Sequence, residues 1–431
     1  MRAQVDLGGE RSGMPCCDQK GCSMKPLKFC LVTTFYPPQS AGGDGIAVQR
    51  LARELVKQGH SVTVVHDVDA FQTLKRSPLP PDNVADDGVT VIPLRSGWGV
   101  ASPLIVQQTG RPVLQGHRLA KLLDNGFDVV NFHNASLIGG PGIFGFGSDA
   151  LRVYTAHEHW LVCPTHILWR NKTEVCTKPD CVSCQIQYHR PPQLWRHTNL
   201  MRDSIHSIDE FIAMSEFSRD KHREFGFSRE MHVIPPCGGA ASVNGGDTSP
   251  HPRPYFFFAG RLEAGKGLQT VLPVLREFPE ADLLVAGEGS LKDQIRREGG
   301  DQVVLLDQVT PGALEKYYRH AIATLVPSLV FETFGLTLTE SFRCGTPVIA
   351  RSIGPFPDIV SRANGGILFN TGDELLAAMR KLAGDPSYRA QLGKQGREAF
   401  LRWWQDSVST GSYLEMVDRS LHSRRQKARP S

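Results

Sequence analysis

Apolar residues in this chain come in short runs that alternate with amphipathic stretches of helical period. The first run, Lys28 to Thr33, stops at Pro37-Pro38 and reads as a buried strand followed by a turn. Gly42-Gly43-Asp44-Gly45 then leads into a helical pattern carrying Ile46, Val48, Leu51, Leu55 and Val56 on one face. Gly59 ends that helix, and Ser61 to Val65 reads as the next strand. Strand, glycine turn, helix and strand make the βαβ unit of a parallel, doubly wound sheet. Further strands are predicted at Val89–Ile92, Asp128–Phe132, Arg152–Thr155, Glu210–Ala213 and Met231–Ile234. Pro, Gly, Ser, Asn and Asp dominate residues 237–254, which read as a linker. A second α/β series follows, with strands at Tyr255–Ala259, Asp282–Ala286, Val303–Leu305, Ala323–Val326, Thr346–Ala350 and Ile367–Phe369.

The pattern therefore predicts an α/β protein with two Rossmann-like domains, 26–236 and 255–403. A flexible tail (1–25) precedes them, and a C-terminal helix with a basic end (404–431) follows. The 431 residues exceed what one core usually supports, which agrees with two domains. A charged fraction of 21% with 40% hydrophobic residues excludes a mostly disordered chain. A net charge of +4 is too weak to argue for nucleic acid. The most apolar stretch, 129–148, is broken by Asn131, His133, Asn134 and Pro141 and does not read as a membrane span. Asp6, Glu10, Arg11 and Asp18 sit where a signal core would lie, so the expected location is the cytoplasm.

Chemistry concentrates at three places. Gly260-Arg261-Leu262-Glu263-Ala264-Gly265-Lys266-Gly267 follows a strand and is expected to open a helix. It comes close to a P-loop, but Gly267 stands where Ser or Thr must bind magnesium, which argues against a nucleoside triphosphatase. Two cations at a helix N-terminus still make a good diphosphate site. Farther on, Phe331-Glu332-Thr333-Phe334-Gly335-Leu336 runs to Glu340, with the two glutamates just over two helical turns apart if a helix starts after Gly335. The third place is 160–194, an irregular stretch carrying Cys163, Cys176, Cys181 and Cys184. Such a long excursion needs something to hold it, and four thiolates around one structural zinc would serve; the alternative is four reduced, unconnected thiols. His159, His166 or His189 could replace one ligand.

In the order and spacing of these motifs, with Gly287-Glu288-Gly289 between them, the chain resembles glycosyltransferase family 4 from about Lys28 to Leu421. These are retaining enzymes of the GT-B fold, in which two Rossmann-like domains face each other across a cleft. The resemblance implies an N-terminal acceptor-side domain and a C-terminal domain that binds a UDP- or GDP-sugar donor. Arg261 and Lys266 would hold the diphosphate, Glu340 the ribose, and Glu332 the transferred sugar. Phe334, Gly335 and Leu336 would offer backbone N–H groups. Gly42, Gly43, Gly287 and Glu288 would line the donor, and His157 would sit near sugar and acceptor. His133, at another strand end, is a cleft candidate. A glycan or lipid-linked acceptor is implied, with peripheral membrane contact in the latter case, no nucleic acid and no catalytic metal. A subset of the family carries a similar cysteine cluster. Ile234-Pro235-Pro236-Cys237-Gly238, Ser341-Phe342-Arg343 and Gly354-Pro355-Phe356-Pro357-Asp358 depart from the family pattern, which bears on the sugar more than on the reaction. The alternatives are another GT-B activity, such as a nucleotide-sugar epimerase, and a non-catalytic nucleotide-sugar-binding subunit.

Overall fold

The computed structural model describes residues 25–40, 42–74, 86–240, 248–306, 309 and 311–427. The expected tail at 1–24 and part of the expected linker, 241–247, lie outside the described residues.

Two parallel sheets form. The first contains β1 (Lys28–Thr33), β2 (Ser61–Asp67), β3 (Thr90–Leu94), β4 (Val129–Asn134) and β5 (Leu151–Ala156). A separate hairpin, β6 (Trp169–Arg170) and β7 (Glu174–Val175), interrupts the series before β8 (Glu210–Ala213) and β9 (His232–Val233). The order across the first sheet is β3-β2-β1-β4-β5-β8-β9. The second sheet contains β10 (Tyr255–Ala259), β11 (Asp282–Ala286), β12 (Val303–Leu306), β13 (Thr324–Val326), β14 (Val348–Arg351) and β15 (Gly366–Phe369). Its order, β12-β11-β10-β13-β14-β15, repeats the same winding. Helices cover both faces, so the central strands are apolar on each side, as Phe29, Leu31 and Val32 show by being wholly buried.

In a sheet wound this way, the chain reverses direction at the point between the first and fourth strands. Loops leaving those strands diverge there and open a crevice. In the second sheet the β10 loop starts at Gly260 and the β13 loop at Pro327. They pack tightly: the Leu329 N–H donates to the Gly265 carbonyl at 2.8 Å. Gly267 has φ +75°, and a Cβ there would lie 2.0 Å from the Pro327 oxygen. Gly287, at the end of β11, brings its backbone against the Gly260 oxygen, where a Cβ would lie only 1.9 Å away.

The C-terminal helix, Asp406–Lys427, returns to the first sheet. Its Tyr413 packs near Phe29 and accepts a hydrogen bond from Asn131 at 3.2 Å, and Ser420 donates to Glu210 at 2.6 Å. The end of this helix is not merely solvated, because Arg424 donates to the carbonyls of Ala150 and Ser148 and pairs with Asp209. One core cluster consequently joins Phe29 and Val64 of the first domain to Phe334, Phe342 and Trp404 of the second.

Two local expectations need correction. No α-helix opens at the Gly260–Gly267 segment. It forms 3-10 turns at Ala264–Lys266 and Leu268–Thr270, and a short α-helix begins only at Leu272. The excursion 160–194 is also less irregular than its pattern implied, since it contains the β6–β7 hairpin and a helix over Cys181–Gln187.

Candidate active site

The β10 and β13 loops meet at an ion pair. Lys266 Nζ lies 2.5 Å from Glu332 Oε1, and Ser328 Oγ donates to the same oxygen at 3.2 Å. Burial pushes the Glu332 carboxyl up, but Lys266, Arg261 and Ser328 outweigh it and hold the group below its usual range. Glu332 is therefore an ionised carboxylate beside two cations. The helix Leu336–Arg343 starts four residues later, with Gly335 as its N-cap. Phe334 is buried against Trp404, and that packing fixes the turn into the helix.

Glu340 lies on this helix and accepts from Arg50 of the first domain at 2.9 Å and from the Tyr318 hydroxyl at 3.0 Å. Burial and the neighbouring Glu340 charge push the Tyr318 hydroxyl far up, so it remains a donor. Thr333 forms a second link between the domains. Its hydroxyl donates to the His157 carbonyl at 2.7 Å, and its own carbonyl accepts from Ser215 at 2.6 Å. Gly43 sits opposite the same loop, where a Cβ would come within 3.0 Å of the Leu336 side chain.

On the first domain, His157 follows β5 and pairs with His133, their Nε2 and Nδ1 atoms being 2.8 Å apart. Burial holds both imidazoles neutral; His157 is brought down to about 4. Next in the chain, Glu158 accepts from Asn134 at 2.9 Å and from His166 at 2.9 Å. Burial raises the Glu158 carboxyl, but His166, Arg261 and His157 lower it further, so it too stays ionised. Arg261 thus acts electrostatically on a carboxylate of each domain.

The structure therefore brings Arg261, Lys266, Glu332, His157, Gly43 and the Phe334–Leu336 turn to one cleft. Gly42 leads into the helix Gly43–Lys57 as its N-cap. Glu288 does not join the ion pair; its carboxylate takes Lys292 at 2.7 Å on the surface. Motif reasoning missed Arg50, Tyr318, Ser215, Asp44, Asn134 and Glu158. Three of these adjoin candidate residues, Asp44 after Gly43, Asn134 after His133 and Glu158 after His157, and that adjacency was the available signal.

Cys163, Cys176, Cys181 and Cys184 are all free thiols. Burial and the charges of the other three push Cys176 up to about 11, so the four lie near enough to act on one another. Among the described residues, however, no group of three or more His, Cys, Asp or Glu side chains is arranged to hold a metal ion. The donor chemistry fits zinc, but the four sulfurs do not form its shell in this structure. Among the described residues, five of the seven non-glycine residues with positive φ lie in this excursion: His166, Leu168, Asn171, Lys172 and His189.

The comparisons with known proteins agree with this geometry. A family model described as Glycosyltransferase Family 4 matches residues 41–237, and one described as Glycosyl transferases group 1 matches 246–399. A D-inositol 3-phosphate glycosyltransferase of Acidothermus cellulolyticus is 25% identical over 91% of this chain and 90% of its own. A sulfoquinovosyl transferase of Arabidopsis thaliana is 30% identical, over 34% of this chain and 30% of its own. Among solved structures, sucrose-phosphate synthase from Thermosynechococcus elongatus superposes with a TM-score of 0.71 at 19% identity, covering 92% of this chain and 100% of that one. HepE of Anabaena in complex with UDP gives 0.62 at 16% identity, covering 91% and 100%. The two models fall on the two sheets in turn, and the chain is a family 4-like glycosyltransferase with the GT-B fold. It is an enzyme of glycosyl transfer.

The buried imidazoles give a pH dependence of stability. His133 and His159 are held well below 6.5 by burial, and His157 and His222 are brought down to about 4. The unfolded chain therefore binds more protons between pH 6.5 and about 4, so stability is full above that window and falls as pH falls through it. Each histidine adds at most about 1.4 kcal/mol per pH unit. Urea unfolding at a series of pH values should show this slope, and His222→Phe should flatten it.

Proposed function

We propose that the protein transfers a sugar, with retention of anomeric configuration, from a nucleoside-diphosphate sugar to an acceptor hydroxyl. The observation that carries this reading is the switch-point ion pair, with Lys266 and Arg261 beside Glu332 and facing the first domain. Those cations would hold the donor diphosphate and stabilise the charge that develops on it as its bond to the anomeric carbon breaks. Glu332 would hold hydroxyls of the transferred sugar and stabilise the positive charge that its ring gains. Glu340, kept in place by Tyr318, would take the ribose hydroxyls, which requires it to share or release Arg50. The acceptor oxygen would attack from the face that the diphosphate leaves. Its proton would pass to a phosphate oxygen of the leaving group, so no protein base is needed. HepE, which shares the fold, is described in complex with UDP, and that supports a UDP-sugar, with a GDP-sugar as the other candidate.

For the acceptor we propose a glycan or lipid-linked hydroxyl. Large exposed apolar side chains of the described residues, Trp98, Leu104 and Leu194 among them, gather on the first domain. No Asp or Glu occurs from 88 to 123, whereas Arg95, Arg111, Arg118 and Lys121 do. These features suit contact with an anionic lipid surface, and no helix of the described residues is long and apolar enough to cross a membrane. Co-sedimentation with phosphatidylglycerol vesicles, lost on Trp98→Ser with Leu104→Ser, is the check.

Arg261→Ala and Lys266→Ala should each lower transfer by about 10²–10³-fold, as for loss of one preorganised donor to a developing anion. Glu340→Gln should mainly raise the donor KM, because the ribose is unchanged in the transition state, and Glu332→Gln should mainly lower kcat. Normal turnover in both cation variants, or an inverted product by NMR, would refute the assignment.

We also propose a structural zinc on Cys163, Cys176, Cys181 and Cys184, which would have to draw the four thiolates together and stiffen the excursion. Elemental analysis should find about one zinc per chain. Metal-free protein with all four thiols freely alkylated in the folded state would refute it.

A further inference from the structure

A carboxylate in the cleft with hydrogen-bonding capacity to spare is suited to holding a ligand. Glu158 is such a group. It follows His157 directly, and its side chain is 28% exposed. Two struts hold it. Asn134 donates to Oε1, and His166, which enters from the cysteine-bearing excursion, donates to Oε2.

The Asn134 strut can point only one way. Its Oδ1 receives the Ser136 hydroxyl at 2.8 Å and the Ser136 N–H at 3.3 Å, while the Thr34 hydroxyl donates to the Asn134 carbonyl at 2.8 Å. The Nδ2 group must then face the carboxylates, and it donates to Asp44 Oδ2 at 3.0 Å as well as to Glu158. The His166 strut is set by a turn in which the His166 N–H donates to the Cys163 carbonyl at 3.1 Å, while its own carbonyl accepts from the His159 N–H at 2.9 Å. With only these two side-chain donors, the Glu158 carboxylate keeps lone pairs unused. In the adjoining histidine pair, His133 is 1% exposed and its Nε2 has no partner.

We propose that Glu158, supported by Asp44, is a specificity-determining residue that accepts hydrogen bonds from hydroxyls of the acceptor, and that the acceptor part entering this corner is an uncharged polyol rather than a phosphorylated one. Carboxylates take paired sugar hydroxyls well and repel phosphate. The placement is tied to the reaction by Thr333, next to Glu332, whose hydroxyl donates to the carbonyl of His157, next to Glu158, at 2.7 Å; a hydroxyl held at Glu158 would thus lie on the donor side of the cleft. The inference rests on the glycosyltransferase site described above.

The test uses the full chain loaded with UDP, with methyl α-D-glucopyranoside and myo-inositol as neutral probes and glucose 6-phosphate and inositol 1-phosphate as anionic ones. Binding is read by saturation-transfer NMR titration. The neutral probes should bind, with the phosphates at least about 10-fold weaker, and Glu158→Gln should weaken the neutral probes by about 10-fold or more, the cost of one hydrogen bond to a charged group. UDP affinity should not fall by more than about 2-fold in that variant, and Glu158→Asp should restore part of the loss. Asp44→Asn gives the same reading if Glu158→Gln does not fold. Equal or tighter binding of the phosphates, no binding of any probe, unchanged neutral affinity in the variant, or a loss of UDP affinity instead would each overturn the proposal. Failure of the wild-type chain to bind UDP or GDP contradicts the donor reading, and the inference falls with it.

Discussion

The ion pair between Lys266 and Glu332 is the contact on which the site depends. Both groups are partly withdrawn from water, and an ion taken out of water costs several kcal/mol unless a partner compensates it. The partners come from two loops that are remote in sequence and adjacent only because β10 and β13 lie side by side at the reversal of winding. The tight backbone approach of Gly267 to Pro327 keeps those loops close enough for the pairing. The paired geometry also leaves cations positioned for a ligand with more negative charge than a carboxylate. A diphosphate would meet them with little rearrangement, which is what preorganisation requires.

The same loop is tied to the other domain. Thr333 bonds both ways with the first domain, to His157 and to Ser215, and Arg50 reaches across to Glu340. The C-terminal helix and the shared core around Trp404 hold the two sheets in register behind these contacts. The cleft is therefore closed by polar links at its mouth and apolar packing at its back. A donor that takes Glu340 from Arg50 would change a contact between domains, so binding and domain position are coupled through one side chain.

Much of the fold was legible in the sequence because parallel strands buried on both faces leave plain apolar runs. Each run expected in the two series corresponds to a strand, with ends moved by one or two residues. The helix after Gly335 and the helix after Gly43 were also legible, from glycine followed by a 3.6-residue period. The helix expected at Gly260–Gly267 was not realised, because Lys266 and Gly267 close 3-10 turns that let the backbone pass under Pro327. In the cysteine-bearing excursion, a two-residue strand pair and a seven-residue helix are too short to leave a period. The carboxylate corner was illegible for another reason. Asp44, Asn134 and Glu158 are single polar residues up to 114 positions apart, and their meaning comes from one amide that bridges two of them.

The central claim, that the switch-point cations form a diphosphate site, is tested most directly by comparing nucleotides that differ by one phosphate. Thermal melting is followed with UDP and UMP, and with GDP and GMP, at equal concentration. The account predicts that one diphosphate raises the melting temperature clearly while its monophosphate does so far less, and that Lys266→Met removes the difference. Equal stabilisation by the mono- and diphosphate of the same base, or a difference that survives in Lys266→Met, would contradict it.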